Sequence, residues 1–401
     1  MKSQFITVLL LALSPSWLLR AEQRPPHWSV DLNKFGYFTG QPGTASTLSS
    51  DDAVAATDSY VAVALQNEEP ATGPPKANAK PQSKLLLLIF AAGSGKLSAT
   101  CGPWTINAGF ELRSTASGNF LLHLTPLSET KPQRSESLVL LSPNCEQLKQ
   151  ILLQDQGTAK PRLWQTLQSP SRKTLVLINE QGEGSHFELL DLESLDSKSK
   201  WFEHDSMAPK IIGVSDNGFL GVPPGPKSTV IESRPIADDY NYYRTFDGPW
   251  QRLPYSNCDS FLSDDTLICT SESTPEPWKV SKTQIKAIRL DGTVTFSATV
   301  SGAGYHVWRN SDISVSSGGD HFAFTLDFAG AGWLWGTLDM GPEHHSIYVW
   351  SASRPEPSAK IKLVNWLDHP VLGFSFAPDG SWFAVLVDHS TLNIRPLESP
   401  K

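Results

Sequence analysis

The stretch FSFAPDGSWFAVLVD, residues Phe374 to Asp388, decides how this chain folds. A short apolar run is followed by the turn residues Pro378, Asp379 and Gly380, and a second apolar run comes after them. This order is typical of an antiparallel β-hairpin. An isolated hairpin is only marginally stable in water, so this one needs neighbours of the same kind.

The same pattern recurs along the whole chain. Turns containing Ser, Asp or Gly lie between short apolar runs near Asp51, Ser117, Ser171, Asp216, Asp264, Gly319 and Asp379. The intervals between these turns are 45 to 66 residues, which is long enough for four strands in each copy. A third apolar run, and usually a fourth, follows each hairpin. Seven copies of a four-stranded antiparallel unit predict an all-β chain folded as a seven-bladed β-propeller.

The seventh copy has only three apolar runs, and the N-terminal region supplies a candidate for the fourth. The alternating segment HWSVDL, residues His27 to Leu32, has no partner nearby in the sequence. Pairing it with Thr391 to Pro396 would complete the last blade and remove an open sheet edge. We therefore predict a ring closed by an N-terminal strand.

The predicted organisation is a signal peptide at residues 1–21 and a single propeller domain at residues 22–401. Blade 1 is expected at about residues 46–100, and blades 2 to 7 at about residues 110–397. The Pro-, Ala- and Lys-rich residues 67–84 lack apolar anchors, so they are predicted to form a disordered loop inside blade 1.

Composition agrees with an all-β class. The 401 residues are 39% hydrophobic, which is enough for a large core, and only 18% charged. The 30 prolines and 28 glycines favour many short strands joined by tight turns. The net charge of −8 argues against nucleic acid as a partner, because the phosphate backbone attracts basic proteins.

The N-terminus has the features of a secretory signal. Lys2 provides a positive start, Phe5 to Leu13 form an apolar segment, and Leu19 to Ala21 resemble a cleavage site. The predicted location is therefore secreted or periplasmic. An uncleaved anchor is the alternative, although the apolar segment is short for a membrane span, and the chain is not expected to be an integral membrane protein.

The four cysteines are consistent with an oxidising compartment. Cys258 and Cys269 flank two short apolar runs around a turn, so a hairpin would bring them opposite each other. Cys101 and Cys145 pair only by elimination. Four unpaired buried thiols are the alternative.

The segments FAPDGSWFAVLVD and IYVWSA resemble the turn and third-strand signatures of WD-repeat-like β-propellers, and this resemblance covers about residues 27 to 397. The Gly-His dipeptide of that family is absent, and Trp350 is followed by Ser351 instead of Asp. The chain resembles a divergent exported propeller of this type. Such a resemblance implies a rigid platform for binding and does not identify a ligand.

No motif predicts a cofactor or a metal site. FAAGSGKLS, Phe90 to Ser98, follows an apolar run but lacks the first glycine and the Ser or Thr after lysine that a phosphate-binding loop requires. The adjacent His344 and His345 would point to opposite faces of a strand, which separates them as ligands. We expect no cofactor and no bound metal.

Aromatic residues are the best candidates for a binding surface. Tyrosine and tryptophan combine flat apolar area with a polar edge, which suits stacking on sugars or holding a peptide. The candidates in connections between blades are Trp250, Tyr305 and Trp308, and the candidates in longer loops are Tyr240, Tyr242, Tyr243, Trp333 and Trp335. The alternative is that aromatic residues pack as wedges between blades, as we expect for Trp104 and Trp366.

Two functions of different classes are compatible with this sequence. The first is a binding or scaffold propeller that presents an aromatic-rich face to a protein, a peptide or a glycan. The second is a glycan-active hydrolase or lyase that uses carboxylates in the central funnel, with Asp239, Asp247, Asp312 and Asp327 as candidates. Sequence alone does not give the distances between these carboxylates.

Overall fold

The computed structural model describes residues 27–35, 53–68, 83–106, 108–126, 136–153, 164–181, 184–204, 209–223, 240–273, 282–301, 305–309, 313–330, 344–363, 373–387 and 391–397. These residues form seven antiparallel sheets, and no α-helix occurs within them. The predicted signal peptide at residues 1–21 lies outside these ranges. So do residues 69–82, the larger part of the predicted loop 67–84.

The first three complete blades follow one another along the chain. Blade 1 contains β2 (Val54–Ala56), β3 (Tyr60–Glu68), β4 (Ser83–Ala91) and β5 (Leu97–Ile106). Blade 2 contains β6 (Ala108–Ser114), β7 (Phe120–Pro126), β8 (Glu136–Leu141) and β9 (Gln147–Leu153). Blade 3 contains β10 (Gln165–Gln168), β11 (Thr174–Gln181), β12 (Gly184–Asp191) and β13 (Ser197–His204).

Blades 4 to 6 have the same order, with one variation in blade 6. Blade 4 contains β14 (Lys210–Val214), β15 (Gly218–Val222), β16 (Tyr240–Thr245) and β17 (Gln251–Ser256). Blade 5 contains β18 (Cys258–Ser263), β19 (Thr266–Ser273), β20 (Lys282–Arg289) and β21 (Val294–Ser301). Blade 6 contains β22 (Tyr305–Arg309), β23 (Ser314–Val315), β24 (His321–Gly330), β25 (His344–Ser351) and β26 (Pro357–Leu363), and both β22 and β23 pair with β24.

The last blade joins both ends of the chain. It contains β27 (Phe374–Phe376), β28 (Trp382–Val387) and β29 (Thr391–Pro396), and its outer strand is β1 (Trp28–Asp31), which a short 3-10 helix follows at Leu32–Phe35. β1 pairs antiparallel with β29, so that Trp28 lies opposite Ile394 and Asp31 opposite Thr391. The predicted seven blades and the N-terminal closure are confirmed.

The sequence patterns explain which strands lie inside and which lie at the rim. β4 is a continuous apolar run, and Leu85 to Phe90 are buried because neighbouring blades cover both faces. β21, the outer strand of blade 5, alternates instead: Phe296, Ala298 and Val300 are buried and the residues between them are exposed. One face of this strand packs on blade 6 and the other meets solvent.

The core is divided among the junctions between blades. Seven apolar clusters each join two neighbouring sheets, from blades 1 and 2 around to blades 7 and 1. At the junction of blades 5 and 6, Trp350 is fully buried and stacks on Phe322, with ring centroids 5.5 Å apart. Each blade therefore depends on both of its neighbours for the burial of its two faces.

Turns between the first two strands of several blades form hydrogen bonds to the next blade. Asp216 accepts a hydrogen bond from the hydroxyl of Ser171 (2.6 Å), and its own backbone N–H donates to Asp264 (2.9 Å). The N–H of Asp379 donates to Asp58 across the closure of the ring (3.1 Å). These turns therefore fix the angular position of adjacent blades.

The first of these turns lies later than the sequence pattern predicted. We placed it near Asp51, but β2 and β3 are joined at Thr57 to Ser59, and Asp51 lies outside the described residues. The small residues Ala53 to Ala56 fill the crowded centre of the ring, which makes this strand too short and too poor in large side chains to recognise by pattern.

Both predicted disulfides are present, and none of the four cysteines is a free thiol. Cys258 and Cys269 are directly opposite each other on β18 and β19, as the hairpin predicted. Cys101 on β5 is joined to Cys145, which lies in the turn between β8 and β9, with 5.2 Å between their Cα atoms. The second bridge therefore connects blade 1 to blade 2.

Candidate functional site

Three of the predicted binding residues lie on a strand, not in a loop. Tyr240, Tyr242 and Tyr243 belong to β16, the third strand of blade 4. Our placement of these tyrosines in a long loop was wrong. The sequence YNYYRT is rich in aromatic residues that favour strands, and this signal was available.

Side-chain alternation separates these tyrosines between two blade junctions. The amide of Asn241 faces blade 5, where it donates to Cys258 O (2.7 Å) and accepts from Cys258 N (2.9 Å). Tyr243 also faces blade 5, with its ring 6.3 Å from that of Phe261, and burial together with the charge of Asp264 raises its pKa. The side chains at even-numbered positions of β16 therefore face blade 3.

The even-numbered residues of β16 lie at the junction between the outer parts of blades 3 and 4. We call it the blade 3/4 groove, and it is defined by Trp201, Glu203, Tyr240, Tyr242, Arg244, Trp250 and Arg252. Strand β13 contributes the first two of these residues, and β16, β17 and the turn between them contribute the others. The groove thus joins three of the predicted candidates, which are Tyr240, Tyr242 and Trp250.

An ion pair surrounded by aromatic rings forms the floor of the groove. Arg244 binds the Oε1 atom of Glu203, and the indole N–H of Trp201 donates to the same oxygen at 2.9 Å. The guanidinium of Arg244 lies 4.9 Å from the ring centroid of Trp250 and 5.2 Å from that of Phe219. Cation–π contacts with both rings therefore hold this arginine in place.

A second arginine lies at the rim. Arg252 on β17 is exposed, and its guanidinium stacks 3.3 Å from the ring centroid of Tyr240. Tyr242 is directly opposite Arg252 in the strand register. Both tyrosines are half-buried, so the rim presents aromatic surface and one positive charge to solvent.

The indole of Trp250 is packed more deeply than the side chain of a residue that only contacts a ligand at the surface. Its indole lies against Gly221 of β15, where any added Cβ would approach the ring to 2.9 Å. The Nε1 atom of Trp250 is buried and has no hydrogen-bond partner among the described residues. Trp250 therefore forms part of the wall between the blades as well as one side of the groove.

The other predicted aromatic residues are not part of this groove in the described ranges. Tyr305 and Trp308 lie on β22 of blade 6 and not in a connection between blades as predicted, and they are opposite Gly330 and Asp327. Trp333, Trp335 and Trp366 lie outside the described residues. Trp104 on β5 is half-buried against the cluster between blades 1 and 2. A binding role for the eight candidates stays a prediction.

A central cavity is a second candidate site. Its volume is about 380 Å³, and it is lined by the innermost strands of six blades. Polar lining residues include Glu111, Arg113, Gln165 and Ser375, and apolar ones include Phe261. This volume is in the range of small-molecule pockets.

A buried charge network reaches the wall of this cavity. His123 on β7 lies between two carboxylates, with Nδ1 3.4 Å from Glu111 and Nε2 3.1 Å from Glu136. Burial on its own lowers the pKa of His123, but the hydrogen bonds and charges of both glutamates outweigh it and raise the pKa to about 9. For the Glu111 carboxyl, burial on its own raises the pKa, but the hydrogen bond from His123 and the charge of Arg113 outweigh burial and lower the pKa to about 2. His123 and Glu111 are therefore both charged at neutral pH.

Arg172 closes the cavity at the end where the hairpin turns meet. Its Nη1 donates to Ala56 O (2.5 Å) and to the hydroxyl of Ser114 (2.8 Å), and its Nη2 donates to Phe376 O (2.6 Å). Burial lowers its pKa to about 10, so the guanidinium stays charged at neutral pH. One side chain of blade 3 thereby binds blades 1, 2 and 7.

These buried polar residues were not predicted from the sequence. His123 interrupts the apolar run FLLHLTP, and a titratable residue inside a buried strand pattern indicates a partner elsewhere. Arg172 has a φ of 62° in its turn, which the sequence SPSRKT does not reveal. The sequence therefore contained a signal for His123 but none for Arg172.

The carboxylates expected in the funnel do not line the cavity where they are described. Asp247 is exposed in the turn between β16 and β17, far out on its blade, and Asp327 is buried on β24. Asp239 and Asp312 lie outside the described residues. Among the described residues, the carboxylate in the cavity wall is that of Glu111.

Within the described ranges, no three His, Cys, Asp or Glu side chains are placed to hold a metal ion. No helix in the described part of the chain has the length and apolar character needed to cross a bilayer.

Comparisons with known proteins find likeness in fold only. No family model matches this chain, and no curated protein sequence matches it. An uncharacterized protein from Listeria monocytogenes EGD-e is 10% identical, with a TM-score of 0.49 over 90% of this chain and 99% of that chain.

Two further solved structures are similar over most of their length. The β-propeller domain of the Trilobed protease from Pyrococcus furiosus is 12% identical, with a TM-score of 0.47 over 86% of this chain and 94% of that chain. The WD40 domain of Toxoplasma gondii coronin is 8% identical, with a TM-score of 0.45 over 94% and 87% of the two chains. The seven-bladed propeller fold of this chain is shown by its own sheet topology.

Proposed function

We propose that this chain is an exported binding or scaffold propeller, secreted or periplasmic, that presents an aromatic surface to a protein, a peptide or a glycan. The observation that carries the proposal is the blade 3/4 groove. It combines half-buried tyrosines with an exposed arginine, and aromatic residues and arginine are the types that dominate binding surfaces.

The frame around the groove supports a binding role because it is rigid. Both walls are strands, and Arg244 is held by an ion pair with Glu203 and by two rings. Sites built on strands keep their geometry better than sites on loops. A preorganised surface loses less conformational entropy when a partner binds.

Two observations support export. Both disulfides are of the kind that persists in oxidising compartments and is rare in a reducing cytosol. The first 21 residues have the charge and apolar pattern of a secretory signal.

The carboxylate in the cavity wall, Glu111, favours a binding function over glycan hydrolysis. A hydrolase needs a carboxylic acid whose pKa is raised so that it can donate a proton. The pKa of Glu111 is instead lowered to about 2 because His123 and Arg113 stabilise its charge. This carboxylate is suited to holding a charge in place and is a poor general acid.

The proposal is tested by exposing the purified, oxidised chain to glycan and peptide arrays. We expect reproducible binding to at least one class. A Tyr242→Ala variant should lose most of that binding, with a loss of about 1–3 kcal/mol, as for an aromatic contact at an interface. A Tyr60→Phe variant, on the opposite side of the ring in blade 1, is the control and should bind normally.

Failure to bind any member of both arrays would contradict the proposal. Equal binding by the wild type and Tyr242→Ala would keep a binding function and remove the blade 3/4 groove as its site.

A further inference from the structure

We infer that the central cavity binds a small zwitterion, namely a free α-amino acid with an uncharged side chain. This inference goes beyond the proposed function, because the cavity is a second site that shares no lining residue with the blade 3/4 groove. Three features of the cavity carry it: its size, the adjacent opposite charges on one wall, and the uncharged wall across from them.

The size of the cavity suits a small molecule. Its volume of about 380 Å³ is at the lower end of the range of about 300–1,000 Å³ that ligand pockets occupy. Arg172 closes the end where the hairpin turns meet. Gln165, at the start of β10, lines the cavity and is exposed, so a ligand can enter from the other end.

Glu111 and Arg113 place opposite charges side by side on the wall that blades 2 and 3 form. Arg113 Nη2 lies 3.3 Å from Glu111 Oε2, and the two side chains are 23% and 25% exposed. Thr166 and His123 also contact Glu111 through Oε2. Because all of these contacts fall on one carboxylate oxygen, Oε1 makes none with the described residues and can accept hydrogen bonds from a ligand.

This pair of charges selects for a ligand that carries both signs. Burial raises the pKa of Glu111, but the hydrogen bond from His123 and the charge of Arg113 lower it to about 2, so the carboxylate stays ionised. A ligand with a single charge would meet one attractive and one repulsive group at similar distances, and the two energies would largely cancel. A zwitterion can place its ammonium group near Glu111 and its carboxylate near Arg113, so that both energies are attractive.

The geometry of an α-amino acid matches the spacing of the pair. Its ammonium nitrogen and carboxylate oxygens are about 3 Å apart, which is close to the 3.3 Å between Arg113 Nη2 and Glu111 Oε2. A neutral sugar of similar size has no charge to pair with either group. Because hydrogen bonds to ionised groups are about twice as strong as neutral ones when both partners are charged, the amino acid is favoured over the sugar.

The wall across from the ion pair has no charged side chain among the described residues. In the ring of seven blades, blade 6 lies opposite the junction of blades 2 and 3. Apolar and hydroxyl side chains of blades 5 to 7 line this wall, and they are Ser260, Phe261, Ile313, Ser314, Val315, Phe374 and Ser375. A charged side chain of a ligand would lose hydration there without gaining a partner, which favours an uncharged one.

Calorimetric titration of the full oxidised chain with L-leucine, L-valine, L-threonine and L-phenylalanine tests the inference. We expect saturable binding of at least one of them. The N-acetyl derivative of that amino acid lacks the ammonium charge, and its amide lacks the carboxylate charge, so each should bind at least tenfold more weakly. D-Glucose, an uncharged molecule of similar size, should bind at least tenfold more weakly as well.

A Glu111→Gln variant tests the role of the carboxylate. It should bind the free amino acid at least tenfold more weakly, and it should not weaken binding of the N-acetyl derivative, which has no ammonium group. A variant that was merely misfolded would weaken both. Glu146→Gln, which removes an exposed carboxylate from another turn of blade 2, is the matched control and should bind as the wild type does.

The wild-type chain alone decides the matter even if the variant folds poorly. Failure of all four amino acids to bind overturns the inference, and so does binding of D-glucose at equal affinity. An amide that binds as tightly as the free amino acid would show a site for cations, and an equally tight N-acetyl derivative would show a site for anions; either result overturns the inference. The array experiment on the blade 3/4 groove keeps its own outcome, because the two sites share no residue.

Discussion

His123 is buried in blade 2 between the carboxyl groups of Glu111 and Glu136, and Glu136 is buried with it. A His123→Gln variant leaves Glu111 and Glu136 without a cation between them. Breaking a buried ion pair by removing one partner costs about 3–5 kcal/mol of unfolding free energy. Chemical denaturation at pH 5.5 measures this loss, and His204→Gln, an exposed histidine at the rim of blade 3, should lose almost nothing.

The pH dependence of this loss follows from the two shifted pKa values. The folded pKa of His123, about 9, is above its ordinary 6.5, so its contribution is complete below pH 6.5 and disappears as the pH rises through 9. The folded pKa of Glu111, about 2, is below its ordinary 4.5, so its contribution is complete above pH 4.5 and disappears as the pH falls through 2.

The difference in stability between wild type and His123→Gln should therefore be largest between pH 4.5 and 6.5, should shrink as the pH rises from 6.5 to 9, and should be largely lost above pH 9. A difference that stays constant from pH 5 to pH 10 would show that the imidazolium is not the stabilising species.

Arg172 is the second residue whose loss should affect the whole ring. Arg172→Lys keeps the charge but cannot reach Ala56 O, Ser114 and Phe376 O together. A hydrogen bond to a charged group contributes about 1.5–3 kcal/mol to the free energy of unfolding. Because the variant loses such bonds, we expect its melting temperature to be well below that of the wild type. Arg395→Lys, on the exposed part of β29, is the control. Equal melting temperatures for the two variants would contradict this role.

At the scale of strands and turns, repetition made prediction possible. A hairpin such as Phe374 to Asp388 is a local pattern, so its six clearest copies could be located from the sequence, and the segment that completes the last blade could be found by counting strands. The turn at Thr57 to Ser59 was misplaced because the alanines before it carry little pattern. β16 was mistaken for a loop because both of its faces are half-buried. Its tyrosines therefore show no alternation of apolar and polar residues in the sequence.

The closing strand β1 yields a prediction at this scale. Val30 is buried in the cluster between blades 7 and 1, and its neighbour Ser29 is exposed on the same strand. Val30→Asp places a carboxylate among apolar side chains and should cost at least about 3 kcal/mol of unfolding free energy. Ser29→Asp should stay within about 0.5 kcal/mol of the wild type. Urea denaturation measures both, and equal midpoints would mean that β1 contributes little to closure.

At the scale of the whole molecule, blade number and ring closure could be predicted because each follows from the order of strands along the chain. The blade 3/4 groove could not, because it depends on contacts between distant residues. Glu203 and Arg244 are 41 residues apart, and their contact follows from how two sheets pack side by side. The Arg172 contacts join residues up to 204 positions apart for the same reason. Local patterns predict sheets, and the packing between sheets creates the site.

The two disulfides differ in how much of the molecule they constrain, and this gives the last prediction. The bridge between Cys101 and Cys145 spans 44 residues and joins two blades, whereas the bridge between Cys258 and Cys269 spans 11 residues within one hairpin. Loop-closure entropy assigns about 4 kcal/mol to the longer loop and about 3 kcal/mol to the shorter one.

Replacing both cysteines of the first bridge by alanine should therefore lower the unfolding free energy more than the same change at the second bridge. A reducing agent should abolish the difference in unfolding free energy between the wild type and each double variant. A larger loss at the hairpin bridge would show that local geometry in blade 5, and not the connection between blades 1 and 2, is what the cysteines stabilise.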